Sequence, residues 1–280
     1  MKKVIFLSLI ILFLNKTQNV FANQDAFTVD NIIVEGEIRD NNYREKYIEV
    51  AFRKGFQKLI ENLIQIKDQK KILSTDLSTI KSLVEKFTIV EEKVLNDRYS
   101  AEVVVSFKKN LLNDFFYKRR ISYSASKKLE TIVYPILTLN SELQVFSNNK
   151  FFQEWNESQE FQNINFILPV ENLDDIEFIK KNLDDLEETD LNQLVDNYEI
   201  KNSAILILRY DEKVLNIFLK TNFKNVKKLK KIELNVKNLQ DKKVRESVIV
   251  SLKSSIHDLW KEQNLIDISV PSYLTINAPI

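Results

Sequence analysis

The chain of 280 residues has no cysteine, one histidine, two glycines and four prolines. Each scarcity removes a class of chemistry. Without a thiol there is no cysteine nucleophile, no disulfide framework and no lipid attachment at an amino-terminal cysteine. The lone histidine, His257, cannot build a histidine-rich zinc site, and any serine-histidine-acid triad would have to use it. It follows Ile256 in an amphipathic pattern and reads as a surface or half-buried helical residue. Gly36 and Gly55 are too few for the glycine-rich loops that cradle phosphates, which argues against nucleotide-dependent enzymes. After residue 14 no apolar run approaches the length of a membrane span.

What is present begins with an export pattern. Lys2 and Lys3 precede the apolar stretch Val4–Leu14, and Val20, Phe21 and Ala22 offer a small-residue cleavage site. Eleven residues rise about 16 Å as a helix, against a hydrocarbon core of about 30 Å. A cleaved signal peptide over residues 1–22 and a periplasmic mature chain are therefore expected. Cleavage removes Lys2, Lys3 and Lys16 and no acid, taking the formal charge from +1 to −2. A near-neutral chain exerts no net pull on nucleic acid.

Two modules follow, an amino-terminal α+β domain over 23–124 and a carboxy-terminal mixed-sheet domain over 125–280. In the first, Phe27–Glu37 alternates imperfectly as a strand, with Phe27, Val29 and Ile33 facing one way and Ile32 and Val34 the other. Asn42 and Glu45 suit a helix cap and its N3 partner. Ile48, Ala51, Phe52, Gly55, Phe56, Leu59, Ile60 and Leu63 then share one helical face. Gly55 in mid-helix costs about 1 kcal/mol relative to alanine, which close approach to a neighbouring element would offset. Thr75 caps a second helix burying Leu77, Ile80, Val84 and Phe87. A hairpin of Phe87–Leu95 and Arg98–Phe107 turns at Asn96 and Asp97, with Tyr99, Ala101, Val103, Val105 and Phe107 on one face. A helix over Asn110–Arg120 closes the module, and Ser122–Ser126 is the expected linker.

The second module opens with a strand at Thr131–Leu139, where Pro135 suggests an edge position or a bulge. A short strand at Leu143–Phe146, a helix at Lys150–Glu157, a strand at Asn165–Val170, a helix capped by Asn172 and a helix at Asp190–Tyr198 follow. Ala204–Leu208 is continuously apolar, as in a strand covered on both faces, and Val214–Thr221 returns beside it across Asp211–Lys213. Lys228–Val236 adds a strand, Gln240–Gln263 a long helix carrying Val244, Val248, Leu252, Ile256 and Leu259, and Ile266, Ile268 and Val270 alternate before Pro271. The fold class is α+β, with two sheet-and-helix modules and a mixed parallel and antiparallel sheet in the second.

Carboxylates could in principle serve a glycosidase-like acid and base. The candidates are Glu91 with Glu92, Asp174 with Asp175, Asp184 with Asp185 and Glu187 with Glu188. Simpler roles are at hand: Asp174 and Asp175 suit a helix N-terminus, and 184–188 suit a solvated acidic loop. Lys224, Lys227, Lys228, Lys230 and Lys231 form a basic run at a strand tip, which would protect an edge or touch an anionic membrane surface weakly. Lys118, Arg119 and Arg120 complement a helix C-terminus. Phe151, Phe152 and Trp155 form either a packed cluster or an exposed aromatic platform, and Trp260 reads as a packing anchor. No catalytic, cofactor-binding or metal-binding residue is nominated.

Beyond these readings, the strand at Phe27–Gly36, the helix with Arg44, Ala51, Phe52, Gly55, Phe56 and Leu59, and then Thr131–Leu137, Trp155, Ile167–Val170, Tyr198 and Ala204–Leu208 carry a resemblance. Together they resemble an uncharacterised family of secreted bacterial envelope proteins classed as a domain of unknown function. The element order of the second module is similar to the N-terminal domain of the periplasmic Tol translocation propeller protein and to domains of flagellar assembly factors. That resemblance implies a docking module and supplies no active site. The expected function is an exported, non-enzymatic protein that binds or scaffolds an envelope partner. The alternatives are a small-molecule or lipid carrier, which needs a cavity between sheet and helices, and a carboxylate-based hydrolase of cell-wall or carbohydrate substrate.

Overall fold

The computed structural model describes residues 26–125, 128–158, 161 and 163–266. The signal segment 1–22, the last linker residue Ser126 and the alternation at Ile268 and Val270 lie outside them. Among the described residues are nine strands and eight α-helices in two sheet-and-helix modules. No helix there is long and apolar enough to cross a membrane.

The first sheet is antiparallel, in the order β1 (Thr28–Glu37), β3 (Arg98–Phe107), β2 (Val84–Leu95). A bulge between Val29 and Ile32, with Asn31 at φ 50°, resolves the imperfect alternation of β1. The extra residue turns Phe27, Val29, Ile32 and Val34 all onto the buried face and leaves Ile33 48% exposed. Helix α1 (Tyr43–Leu63) packs its apolar stripe on that face. Gly55 makes the expected close approach: an added Cβ would lie 2.9 Å from Ile32 Cδ1 and 3.5 Å from Val105. Asn42 forms no side-chain cap. Asp40 instead accepts the Asn42 N–H at 2.9 Å and pairs with Lys46.

Other expectations in this module are also corrected. An additional helix, α2 (Ile66–Leu73), intervenes before α3 (Leu77–Leu83). The cap of α3 is Asp76, whose carboxylate reaches the Thr79 N–H at 2.9 Å, rather than Thr75. Val84 and Phe87 belong to β2, which starts earlier than its apolar run suggested. Helix α4 (Lys109–Lys118) buries Leu112, Phe115 and Phe116, whereas Leu111 is exposed.

The second sheet runs β5 (Glu142–Gln144), β4 (Leu129–Leu139), β7 (Ser203–Asp211), β8 (Val214–Phe223), β9 (Val226–Asn235), with β6 (Ile164–Ile167) also pairing β4. β4 is parallel to β6 and β7, and the other pairs are antiparallel. Helix α8 (Lys242–Gln263) and α5 (Lys150–Glu154) cover one face; α6 (Leu173–Lys181), α7 (Gln193–Asp196) and the turns between them cover the other at β4 and β7. Ala204, Leu206 and Leu208 accordingly enter one core while Ile205 and Ile207 enter the second. Two-sided burial is why Ala204–Leu208 has no polar alternation. The Asp190–Tyr198 helix contracts to the single turn of α7.

Pro135 lies in an interior strand, contrary to the edge expectation. β6 pairs only with 129–132 and β5 only with 137–139, so that side of β4 is unpaired at Pro135. The missing N–H faces this gap, and the Pro135 carbonyl accepts Asn149 Nδ2 at 3.1 Å.

The modules meet where α1 ends. A helix leaves its last carbonyls without intrahelical partners, and here nearly all receive donors from farther along the chain. Lys261 Nζ donates to Glu61 O at 3.1 Å and Ile64 O at 2.6 Å, and Ser124 N donates to Leu63 O at 2.8 Å. Asn163 Nδ2 reaches Asn62 O at 3.5 Å. One turn before Lys261, Asp258 accepts the Ile66 N–H at 2.9 Å, so α8 grips both the end of α1 and the start of α2. The 122–126 segment is no free linker: Tyr123 and Ser124 are buried, and Tyr123 O accepts Ile266 N at 2.8 Å.

Candidate functional site

The residues singled out in the sequence do not converge. Glu91 and Glu92 oppose Glu102 and Ala101 and so point to opposite faces of β2. Glu91 pairs with Lys93 at 2.6 Å. Glu92 accepts Tyr99 Oη at 2.8 Å and a bidentate Arg44 at 2.8 and 3.0 Å. The tyrosine hydrogen bond and then Arg44 hold Glu92 below the usual carboxylate range, while burial and Glu92 push Tyr99 up to about 12. A carboxylate so stabilised as an anion is a poor general acid. Asp174 is exposed, whereas Asp175 is buried and accepts Tyr134 Oη at 2.9 Å.

The 184–188 loop is only partly solvated, which corrects the expectation. Burial opposes the charge on Glu187, but Arg209, at 2.5 and 3.1 Å, holds its carboxyl below the usual range. Lys220 donates to Leu186 O at 3.1 Å and Thr189 O at 2.9 Å, fastening the same loop to the sheet. Beside it lies a cleft of about 400 Å³, lined among others by Glu188, Asp190, Lys220, Asn222, Lys227 and Leu229. Among the described residues no group of three His, Cys, Asp or Glu side chains could hold a metal ion.

The basic run is not a tip. Only Lys224 occupies a turn, and 227–231 lie along β9, where side chains alternate between faces. Lys227 and Lys231 are exposed on one face; Lys228 and Lys230 lean towards α8, with Lys228 paired to Glu262 at 2.8 Å. Phe151, Trp155 and Trp260 are buried and Phe152 half-buried, which settles the aromatic cluster as packing. His257, expected near the surface, is 1% exposed.

The edges of the sheets differ in how they are closed, and this is the feature that periodicity could not show. An edge strand presents unpaired main-chain groups that other chains can pair with. On β1, three α1 side chains cover the rim: Tyr47 Oη donates to Glu37 O at 3.0 Å, Lys54 to Ile33 O at 2.8 Å and Lys58 to Asn31 O at 2.8 Å. Gly36 makes room for this, since a Cβ there would meet Tyr47 Oη at 2.2 Å. On β9, Lys227, Lys228, Lys230 and Lys231 flank the exposed Val226 and Leu229, and Gln263 Nε2 reaches Val226 O at 3.5 Å. β5 and β6 are three and four residues long.

β2 is the exception. It runs for 12 residues, and among the described residues no side chain bonds its main chain. Bulges after Val84 and Ile89 break it into shorter lengths, leaving Glu91–Leu95 in unbroken register with β3. Around that length stand Val90, 59% exposed, Val94, 56%, and Leu95, 71%. An open strand edge with apolar side chains is the geometry used in strand addition.

Fold and edge together define a two-module α+β protein with a long, uncapped strand edge in the first module and with clefts of mixed charged and apolar lining. No protein-family model matches the chain, and no curated protein is similar to it.

Proposed function

We propose that this is an exported, non-enzymatic envelope protein whose first module takes up an extended strand of an envelope partner along β2. The observation that carries the reading is the contrast between edges: β1 is capped by α1 side chains, β5 and β6 are short, β9 sets four lysines around its exposed Val226 and Leu229, and β2 is the longest, has no side chain on its main chain among the described residues, and exposes more than half of Val90, Val94 and Leu95. Main-chain pairing to Glu91–Leu95 would supply affinity, and burial of Val90, Val94 and Leu95 would add specificity. The export pattern of residues 1–22 and the resemblance to secreted envelope proteins support the compartment. A lipid carrier needs a dry apolar cavity, and each of these clefts includes charged side chains in its lining, while a hydrolase gains little from Glu91, Glu92 and Glu187, which are held in ion pairs. Contact with an anionic membrane would use Lys227 and Lys231, since Lys224 lies over the Trp260 ring of α8 and Lys228 and Lys230 lean towards the same helix.

The test is site-specific. A photo-crosslinking residue in place of Val94 should yield one discrete adduct in envelopes of producing cells. The same residue in place of Val226, on the lysine-rich β9 edge, should yield none. Val90→Lys with Leu95→Lys should abolish the adduct while unfolding stays cooperative. Equal labelling from both edges, or none from Val94, would sink the proposal.

A further inference from the structure

His257 lies four residues before Lys261 on α8, inside the junction of the two modules. It lines a cavity of about 380 Å³ with Glu61, Gln69, Phe161, Ser254 and Lys261. The imidazole is 1% exposed and meets the Phe161 ring edge-on, with centroids 4.9 Å apart. Among the described residues neither Nδ1 nor Nε2 has a hydrogen-bond partner. A neutral imidazole carries one donor and one acceptor, and leaving both unused in a buried place is unfavourable enough to require a reason.

We propose that His257 and Lys261 form an acid-sensitive release for the junction. A proton on the imidazole sets a second cation beside the ammonium that caps α1, and the modules part. The charged neighbours do not offset it. On α8, Asp258 is committed to the Ile66 N–H and lies 3.4 Å from Lys261 Nζ, and Lys253 is directed to Ser158 O and the rings of Trp155 and Phe166. On α1, Glu61 accepts Gln57 Nε2 at 2.8 Å. α2 contributes the uncharged Gln69, and the segment before β6 contributes the Phe161 ring.

The direction follows from linkage. Burial, and then Lys261, hold the His257 pKa well below 6.5 in the closed form. In an opened form the ring is solvated and regains its ordinary value, so the open form binds more protons. Acidification below about 6.5 therefore raises the open population, and neutral pH restores the closed one.

The chain suits the measurement, because it has one histidine and no cysteine. In tag-free protein the ring resonances of His257 report its titration unambiguously. Lys93→Cys with Lys237→Cys places one dye on each module. Between about pH 8 and about pH 5, transfer efficiency should fall with the midpoint of the His257 titration. His257→Gln and His257→Leu should each keep transfer constant over that range. A titrating His257 with unchanged transfer in the wild-type chain overturns the proposal, whatever the variants do. So does a variant that opens at the wild-type midpoint.

Discussion

At the residue scale, the shortage of glycine shapes the turns. Four two-residue hairpins, at Asn96–Asp97, Asn140–Ser141, Glu212–Lys213 and Lys224–Asn225, place both residues at positive φ without a glycine among them. Asparagine and aspartate tolerate this region; glutamate and lysine do so at a cost of about 1–2 kcal/mol per residue. Lys213, at φ 71°, is therefore the least suited residue of the β7–β8 turn. Lys213→Gly should stabilise the protein by about 1 kcal/mol, read as a higher urea midpoint with unchanged slope. The same scale shows why His257 was misread. Its helix has an apolar stripe, but Arg245, Lys253, Ser255, His257 and Lys261 are buried as well. A second covering surface widens the buried face, and no periodicity within α8 announces a neighbour some 200 positions away in sequence, such as Glu61.

At the element scale, α8 is anchored at its start by a buried ion pair. Arg245 meets Glu154 of α5 at 2.8 and 2.5 Å and also donates to Leu239 O and Gln240 O. The two side chains are 8% and 12% exposed, so removing one strands the other. Arg245→Met should cost about 3–5 kcal/mol, while Arg245→Met with Glu154→Met should recover most of that, as a double-mutant cycle by urea unfolding would show. The hydrogen bond from Arg245 lowers the Glu154 pKa from its ordinary 4.5. The pair's contribution is thus complete above that value, fades as pH falls through the folded value, and is missing from the Arg245→Met profile. Element identities were largely legible: the β2–β3 hairpin, the Asn172 cap, which accepts the Asp175 N–H at 2.8 Å, and α8 lie where pattern put them. The β1 bulge and Pro135 were not, because each depends on which strand pairs alongside.

At the scale of the whole molecule, the junction rests on Lys261. Methionine keeps the stem's packing and removes the ammonium, leaving Glu61 O and Asp258 short of a donor. Lys261→Met should lower stability by about 3 kcal/mol, and the loss should appear as unfolding of the two modules at separate urea midpoints. A single cooperative transition of unchanged midpoint would show that the junction is held by packing instead. The free β2 edge also belongs to this scale, since it is defined by what α1 does for β1 and does not do for β2.

The sequence by itself determined the α+β class, the order of most strands and helices, and the two-faced burial of Ala204–Leu208. Those follow from local periodicity, capping residues and turns, which act over a few positions. Only the tertiary structure decided that 122–126 is pinned rather than loose, that the lysines of β9 split between two faces, that β2 is the unguarded edge, and that His257 and Lys261 sit together against the end of α1. Each of these depends on a partner far away in sequence, and a side chain's burial, charge and pairing are set by that partner rather than by its neighbours along the chain.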